Sequence, residues 1–154
     1  DFPGKRVLNR GVSGTKTIDL INYKDRLISP YHPKQIFVYE GDNDIGYQWT
    51  TDEILEQIKR LFFILRKEKP EAEIIFISIK PSVRRLKDKE RIEQTNALIK
   101  EFVEQQMNTA YADVYNPMFT PKGELFPEHY REDGLHLTAE GYEVWKEVIS
   151  KYIK

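Results

Sequence analysis

The stretch "EIIFISI", residues 73–79, is apolar on consecutive positions and not on alternate ones. A strand with one wet face alternates apolar with polar side chains, so an unbroken run of this kind reads as a strand covered on both faces. Working outward, "QIFVY" at residues 35–39 has the same character, and "YADVY" at residues 111–115 is a weaker third example. A short "VL" ending at Asn9 reads as one more strand upstream. Helical period fills the gaps. Thr50 and Glu53 form a capping box, after which Ile54, Leu55, Ile58, Leu61, Phe62 and Leu65 make one stripe that Pro70 brings to an end. Ile92, Leu98, Ile99, Phe102 and Val103 mark a second helix. Thr138 can cap a last one, with Tyr142, Trp145, Ile149 and Tyr152 on a shared face. Strand and helix in alternation imply parallel strands joined by right-handed crossovers. The expected architecture is a three-layer α/β/α domain spanning residues 1–154, with no internal repeat and no low-complexity linker.

Size and composition agree with one domain, since 154 residues with 40% hydrophobic side chains suffice for a single core. Lys plus Arg number 24 against 25 Asp plus Glu, a net charge of -1, so no global field draws the chain to nucleic acid or an anionic membrane. There is no cysteine, which removes disulfides and thiolate metal sites. No apolar run approaches the roughly 18 residues a membrane span needs, and "DFPGKRVLNRG" at the start does not read as a signal peptide. Oligomeric state and compartment are not specified by any of these features.

In open α/β sheets ligands bind beyond the carboxyl ends of the strands. Four loops are expected there: "NRGVSGT" (9–15), "EGDNDIG" (40–46), "KPS" (80–82) and "EDGLHLT" (132–138). In the first, Gly11 and Gly14 suit either a turn into a helix capped by Ser13 or Thr15, or a backbone N–H that must approach a reacting atom unobstructed. In the second, Gly41 permits an unusual backbone angle and Asn43 offers an amide donor. The plainer alternative is an Asx-turn, with Asp42, Asn43 and Asp44 bonding only the local backbone. Carboxylates at 42 and 44 could suit a hard cation, but the EF-hand spacing is absent, and His129 and His136, seven apart, match no standard zinc spacing. In the fourth loop Asp133 stands three residues before His136. A carboxylate bonded to one imidazole nitrogen fixes the tautomer and leaves the other nitrogen free to take a proton; otherwise the two simply cap and solvate the final helix. His32, beside Pro30 and Pro33, reads as a surface-turn residue. Tyr47 and Trp49 could line a substrate cleft or enter the core.

Taken in order, "NRGVSG" (9–14), "GDND" (41–44) and "DGLHLTAEGY" (133–142) resemble the second, third and fifth sequence blocks of the SGNH (GDSL) hydrolase superfamily. "FISIKPS" (76–82) and "NPMFTPKGELFPEHYREDGLHL" (116–137) further resemble its bacterial lipase/acylhydrolase branch, which is similar to platelet-activating-factor acetylhydrolases. The resemblance implies a flavodoxin-like fold and a cofactor-free serine esterase acting on a small-molecule ester, such as an acetylated sugar or a short acyl ester. It assigns His136 as general base, Asp133 as its orienting partner, and the Gly14 N–H and Asn43 side-chain amide as oxyanion-hole donors. No nucleic-acid partner and no metal is implied.

One family block has no counterpart. The nucleophilic serine of the family belongs to a Gly-Asp-Ser turn after the first strand, and no Gly-Asp-Ser occurs in residues 1–154. Ser13, Ser29, Ser78, Ser82 and Ser150 all lie elsewhere. The expectation is therefore an N-terminally incomplete domain whose first strand, serine turn and helix precede residue 1. In the strand order 2-1-3-4-5 that strand would sit between the one ending at Asn9 and the one from Gln35 to Tyr39. Two other functions fit the same loops: a non-catalytic carbohydrate-binding or scaffold domain that lacks the serine, and a metal-dependent hydrolase built on the carboxylates and histidines.

Overall fold

The computed structural model describes residues 2–154. Its helices are α1 (Thr17–Asn22), α2 (Lys24–Leu27), α3 (Asp42–Gly46), α4 (Thr51–Glu68), α5 (Lys89–Glu104) and α6 (Ala139–Ser150). Its strands are β1 (Gln35–Val38), β2 (Glu73–Ile77) and β3 (Thr109–Ala112), all parallel, in the spatial order β1-β2-β3. The architecture is the expected α/β sheet with helices on both faces.

The unbroken apolar run of β2 explains the layering. Side chains of a strand point alternately to opposite faces. Ile74 and Phe76 enter the cluster that α4 and α5 close on one face, whereas Ile75 and Ile77 enter the cluster under α6, with Val148 and the flanking Trp145 and Ile149. Both faces are thus covered, and Ile74, Ile75 and Phe76 are fully buried. Helix α4 begins as the capping box requires: Glu53 Oε2 accepts from the Thr50 N–H at 2.7 Å and the Glu53 N–H donates to Thr50 Oγ1 at 3.3 Å. It buries Ile54, Ile58, Leu61, Phe62 and Leu65. At about 2 kcal/mol for each such side chain, the stripe contributes at most roughly 10 kcal/mol.

Three expectations need correction. The "VL" segment is not a strand: Val7 and Leu8 are 54% and 58% exposed, and the sheet of the described residues has three strands and not four. Two apolar residues flanked by Lys5, Arg6 and Asn9 hold too little hydrophobic surface to fix a strand that has no pairing partner. The third strand covers Thr109–Ala112, earlier than "YADVY", because Val114 and Tyr115 instead turn their N–H groups to Ser78 Oγ at 2.9 and 3.0 Å. Leu98 and Tyr142 lie at the margins of their helix stripes, 36% and 53% exposed. Beyond these, α1, α2 and α3 are short helices held by side chains from distant segments: Asp44 on Thr17, Glu68 on Lys24, and Lys80 and Arg85 on Asp42.

Two devices shape the carboxyl edge of the sheet. Asn96, on α5, clamps the backbone just past β2, donating to the Ile79 carbonyl at 2.8 Å and accepting the Ile79 N–H at 2.9 Å. Gly41, at φ +103°, makes the sharp exit from β1 into α3. A Cβ there would stand 2.6 Å from Ile79 Cδ1, a buried atom with no room to retreat, so only glycine fits.

Candidate active site

All three loops that follow the parallel strands, and the turn before α6, converge on this edge. The GDND segment does not make a local Asx-turn. Each of its polar side chains reaches a distant part of the chain. Asp44 accepts the Thr17 N–H at 3.2 Å and so caps α1 from outside. Asn43 Nδ2 donates to the Thr15 carbonyl at 2.8 Å. Asp42 binds Lys80 Nζ at 2.8 Å and Arg85 Nε at 2.5 Å. Asn43 and the Gly14 loop are thereby brought together. Gly14 is exposed at φ +79°, with no atom within 4 Å of where its Cβ would be.

The Asp133–His136 turn is self-contained. His136 Nδ1 lies 2.5 Å from Asp133 Oδ2, and Asp133 Oδ1 accepts the N–H groups of Leu135 and His136, both at 2.9 Å. The hydrogen bond from His136, followed by those two backbone donors, holds the Asp133 carboxyl far below the usual carboxylate range. An ionised carboxylate can only accept, so Nδ1 is the donor of this bond, and Nε2 is left without a hydrogen-bond partner among the described residues; the ring is 61% exposed. The turn is fastened at both ends. Arg131 N–H donates to the His136 carbonyl at 2.8 Å, and Thr138 caps α6 through the Gly141 N–H at 3.3 Å.

No hydrogen bond links Asn43 to the His136 turn among the described residues; residues 80–85 connect them. The Arg84 N–H donates to the Gly134 carbonyl at 3.0 Å, Tyr130 Oη donates to the Pro81 carbonyl at 3.0 Å, and the adjoining Lys80 and Arg85 grip Asp42. Between these elements opens a cleft of about 250 Å³ lined by Asn43, Gly46, Tyr47, Arg84, Arg85 and Leu135. Tyr47 is at the cleft, with Lys16 Nζ 4.5 Å from its ring centroid. Trp49 is not: it packs half-buried against the main core, and its carbonyl accepts from Arg91 at 3.2 Å. Lys80, Arg84 and Arg85 were missed in the sequence, although a basic cluster directly after a buried strand was a readable signal. His32 is exposed in its turn. Among the described residues, no three His, Asp or Glu side chains gather as metal ligands would.

The acidic groups at this edge titrate differently. Burial is the largest influence on Asp42 and pushes its carboxyl up, but Lys80 and Arg85 together outweigh it and hold the group ionised below its ordinary range. Glu40, only 6% exposed, is pushed up to about 8, first by burial and then by the neighbouring Asp44. An unfolded glutamate ionises near 4.5. Between that pH and about 8 the folded state therefore holds the extra proton, and stability conferred by neutral Glu40 is lost as pH rises through this window. Glu40→Gln is expected to flatten that part of the pH–stability curve and to raise stability at pH 8 by up to a few kcal/mol. Denaturant midpoints of both proteins at pH 5 and pH 8 check it; parallel curves would show that Glu40 is ionised in the folded state throughout.

Comparison with known proteins places the chain in a family. Residues 1–144 fit the model of the GDSL-like Lipase/Acylhydrolase family. No significant match is found among curated protein sequences. Among solved structures, a Streptococcus pneumonia protein named for platelet activating factor superposes with a TM-score of 0.89 at 26% identity, over 99% of this chain and 74% of that one. A GDSL-like lipase from Bacteroides thetaiotaomicron gives 0.78 at 20% identity, over 93% and 73%. An acetyl xylan esterase from Geobacillus stearothermophilus gives 0.81 at 18% identity, over 96% and 72%. The last two likenesses concern the fold alone. The family match extends over the Gly14 loop, the GDND segment and the Asp133–His136 turn, and on it the chain belongs to the GDSL-like lipase/acylhydrolase family.

Proposed function

We propose that this chain carries the base and oxyanion-hole portion of a serine esterase that cleaves a small carboxylic ester, an acetylated sugar or a short acyl ester, with the nucleophilic serine supplied by a segment preceding residue 1. The observation that carries the reading is the His136–Asp133 contact of 2.5 Å beside a cleft walled by Asn43. His136 Nε2 takes the serine proton as the serine oxygen attacks the ester carbonyl. The carbonyl π electrons move onto oxygen, and the resulting oxyanion is held by the Gly14 N–H and by the Asn43 amide hydrogen not used on Thr15. The imidazolium, stabilised by Asp133, then gives its proton to the departing alkoxide. Water repeats the cycle on the acyl-enzyme and releases the acid. Pre-placed amide donors suit this chemistry because each stabilises the developing charge by roughly 3 kcal/mol without moving a proton.

The lining of β1 supports the location of the serine. β1 pairs only with β2 among the described residues, so the N–H and C=O groups along its other edge are open to a further strand. The test is turnover of 4-nitrophenyl acetate and of acetylated xylooligosaccharide by the complete gene product, with fluorophosphonate labelling of the same sample. Hydrolysis with one labelled serine outside residues 1–154 is expected. Labelling of Ser13 or Ser78 would overturn the site. Binding of the oligosaccharide with neither hydrolysis nor labelling would establish the non-catalytic alternative.

A further inference from the structure

The cleft that adjoins the Asp133–His136 turn is lined by two arginines, Arg84 and Arg85, and by no carboxylate. Arg84 is exposed at its wall and its guanidinium makes no hydrogen bond or ion pair among the described residues. Arg85 is held by Asp42 through Nε alone, which leaves both Nη groups directed over Gly46, where any Cβ would collide with them. Asp42 must answer two cations, Lys80 and Arg85, so that cluster retains one net positive charge. Lys16, which stands over Tyr47, is paired with Asp19 at 3.9 Å and adds no free charge. A solvated surface arginine needs no partner. Two adjacent arginines on the wall of one concave site, one locked in place and one unpaired, form a fork for an oxyanion.

We propose that the substrate of this site is an anionic ester, carrying a carboxylate or phosphate group within reach of Arg84 and Arg85 and a scissile carbonyl next to His136. The inference rests on the esterase reading and names its substrate class. The locked guanidinium of Arg85 supplies a pre-oriented donor pair, and the free Arg84 closes on the anion once it is bound. A neutral acetylated sugar would leave Arg84 unanswered. The burial that keeps Glu40 protonated to about pH 8 reinforces the positive balance at neutral pH, because it removes a negative charge from the Thr15 side of the site.

Three acetyl esters of matched size test it on the complete protein: 2-acetoxyethanol, 3-acetoxypropanoate and 2-acetoxyethyl phosphate. At least one anionic ester is expected to exceed the neutral one in kcat/KM by about tenfold, the effect of one charge-assisted hydrogen bond. Arg84→Gln should bring that ratio close to one and Arg84→Lys should retain part of it. The two anionic arms tell a carboxylate substrate from a phosphate one. The inference is overturned if neither anion is preferred over the neutral ester, or if Arg84→Gln slows all three by the same factor. Binding of the products 3-hydroxypropanoate and 2-hydroxyethyl phosphate, followed by amide shifts at Gly46 and Leu135, separates the two levels. Saturable shifts that Arg84→Gln abolishes, in a protein hydrolysing none of the esters, would keep the anion site and sink the esterase. Absence of such shifts would overturn the anion site, whatever the turnover.

Discussion

Replacing His136 by alanine in the complete protein is expected to lower ester turnover by about 10⁴-fold or more, while leaving the fold intact. The two halves of this expectation have separate physical grounds. Without the imidazole nothing takes the nucleophile's proton as the carbonyl is attacked, and the remaining rate comes from the oxyanion donors and binding alone. Stability is untouched because the ring is 61% exposed and touches only Asp133 by hydrogen bond. The backbone N–H groups of Leu135 and of residue 136 still donate to the Asp133 carboxylate in the variant, so the turn keeps its shape. The change in unfolding free energy should stay within about 0.5 kcal/mol. A second substitution, Asp133→Ala, should add little to the kinetic loss in the His136→Ala background, since base and orienter act as a unit. Turnover near the parent level in a folded His136→Ala protein would remove His136 from the mechanism, and fully additive losses would show that Asp133 acts on its own.

Why the pair was readable in the sequence, and other parts were not, follows from how far each contact reaches. The Asp133–His136 geometry spans three residues, and a spacing of that kind is legible without the fold. The same holds for the capping box of Thr50 and Glu53 and for the two-faced burial of residues 73–77, where local pattern and tertiary environment agree. Residues 7–8 mislead for the opposite reason: an apolar pair with a β-branched Val suits a strand, but a strand exists only if a neighbour pairs with it. The helix expected after the Gly14 turn exists as α1, but neither Ser13 nor Thr15 caps it: it starts at Thr17, whose N–H is satisfied by Asp44, 27 residues away. The roles of Lys80 and Arg85 depend on Asp42 across a separation of about forty residues, and no periodicity reports such a pair. Trp49 and Tyr47 show the limit most clearly. Two residues apart in one loop, they diverge, one toward the core and one toward the cleft, because α3 ends between Gly46 and the cap of α4 at Thr50.

Asn43→Ala is expected to depress kcat by about 10² to 10³-fold while KM changes by no more than a few-fold. An amide hydrogen that meets an oxygen only after negative charge has built up on it stabilises the transition state and not the bound ester. The side chain also has a structural bond, donation to the Thr15 carbonyl at 2.8 Å, and its loss would release the loop that carries Gly14. One such hydrogen bond contributes about 1 kcal/mol, so Asn43→Ala should lower stability by that order and no more. The kinetic loss is several times larger in free energy, and the comparison keeps the two roles apart. Asp42 sharpens the test. It adjoins Asn43 and is pinned by Lys80 and Arg85, so Asp42→Asn should loosen the placement of Asn43 without deleting its amide. An intermediate fall in kcat for Asp42→Asn, with KM for a neutral ester little moved, is what a positioning role predicts. If Asn43→Ala instead raises KM and leaves kcat alone, Asn43 binds the ground-state ester, and the oxyanion must be held by backbone N–H groups of the Gly14 loop without it.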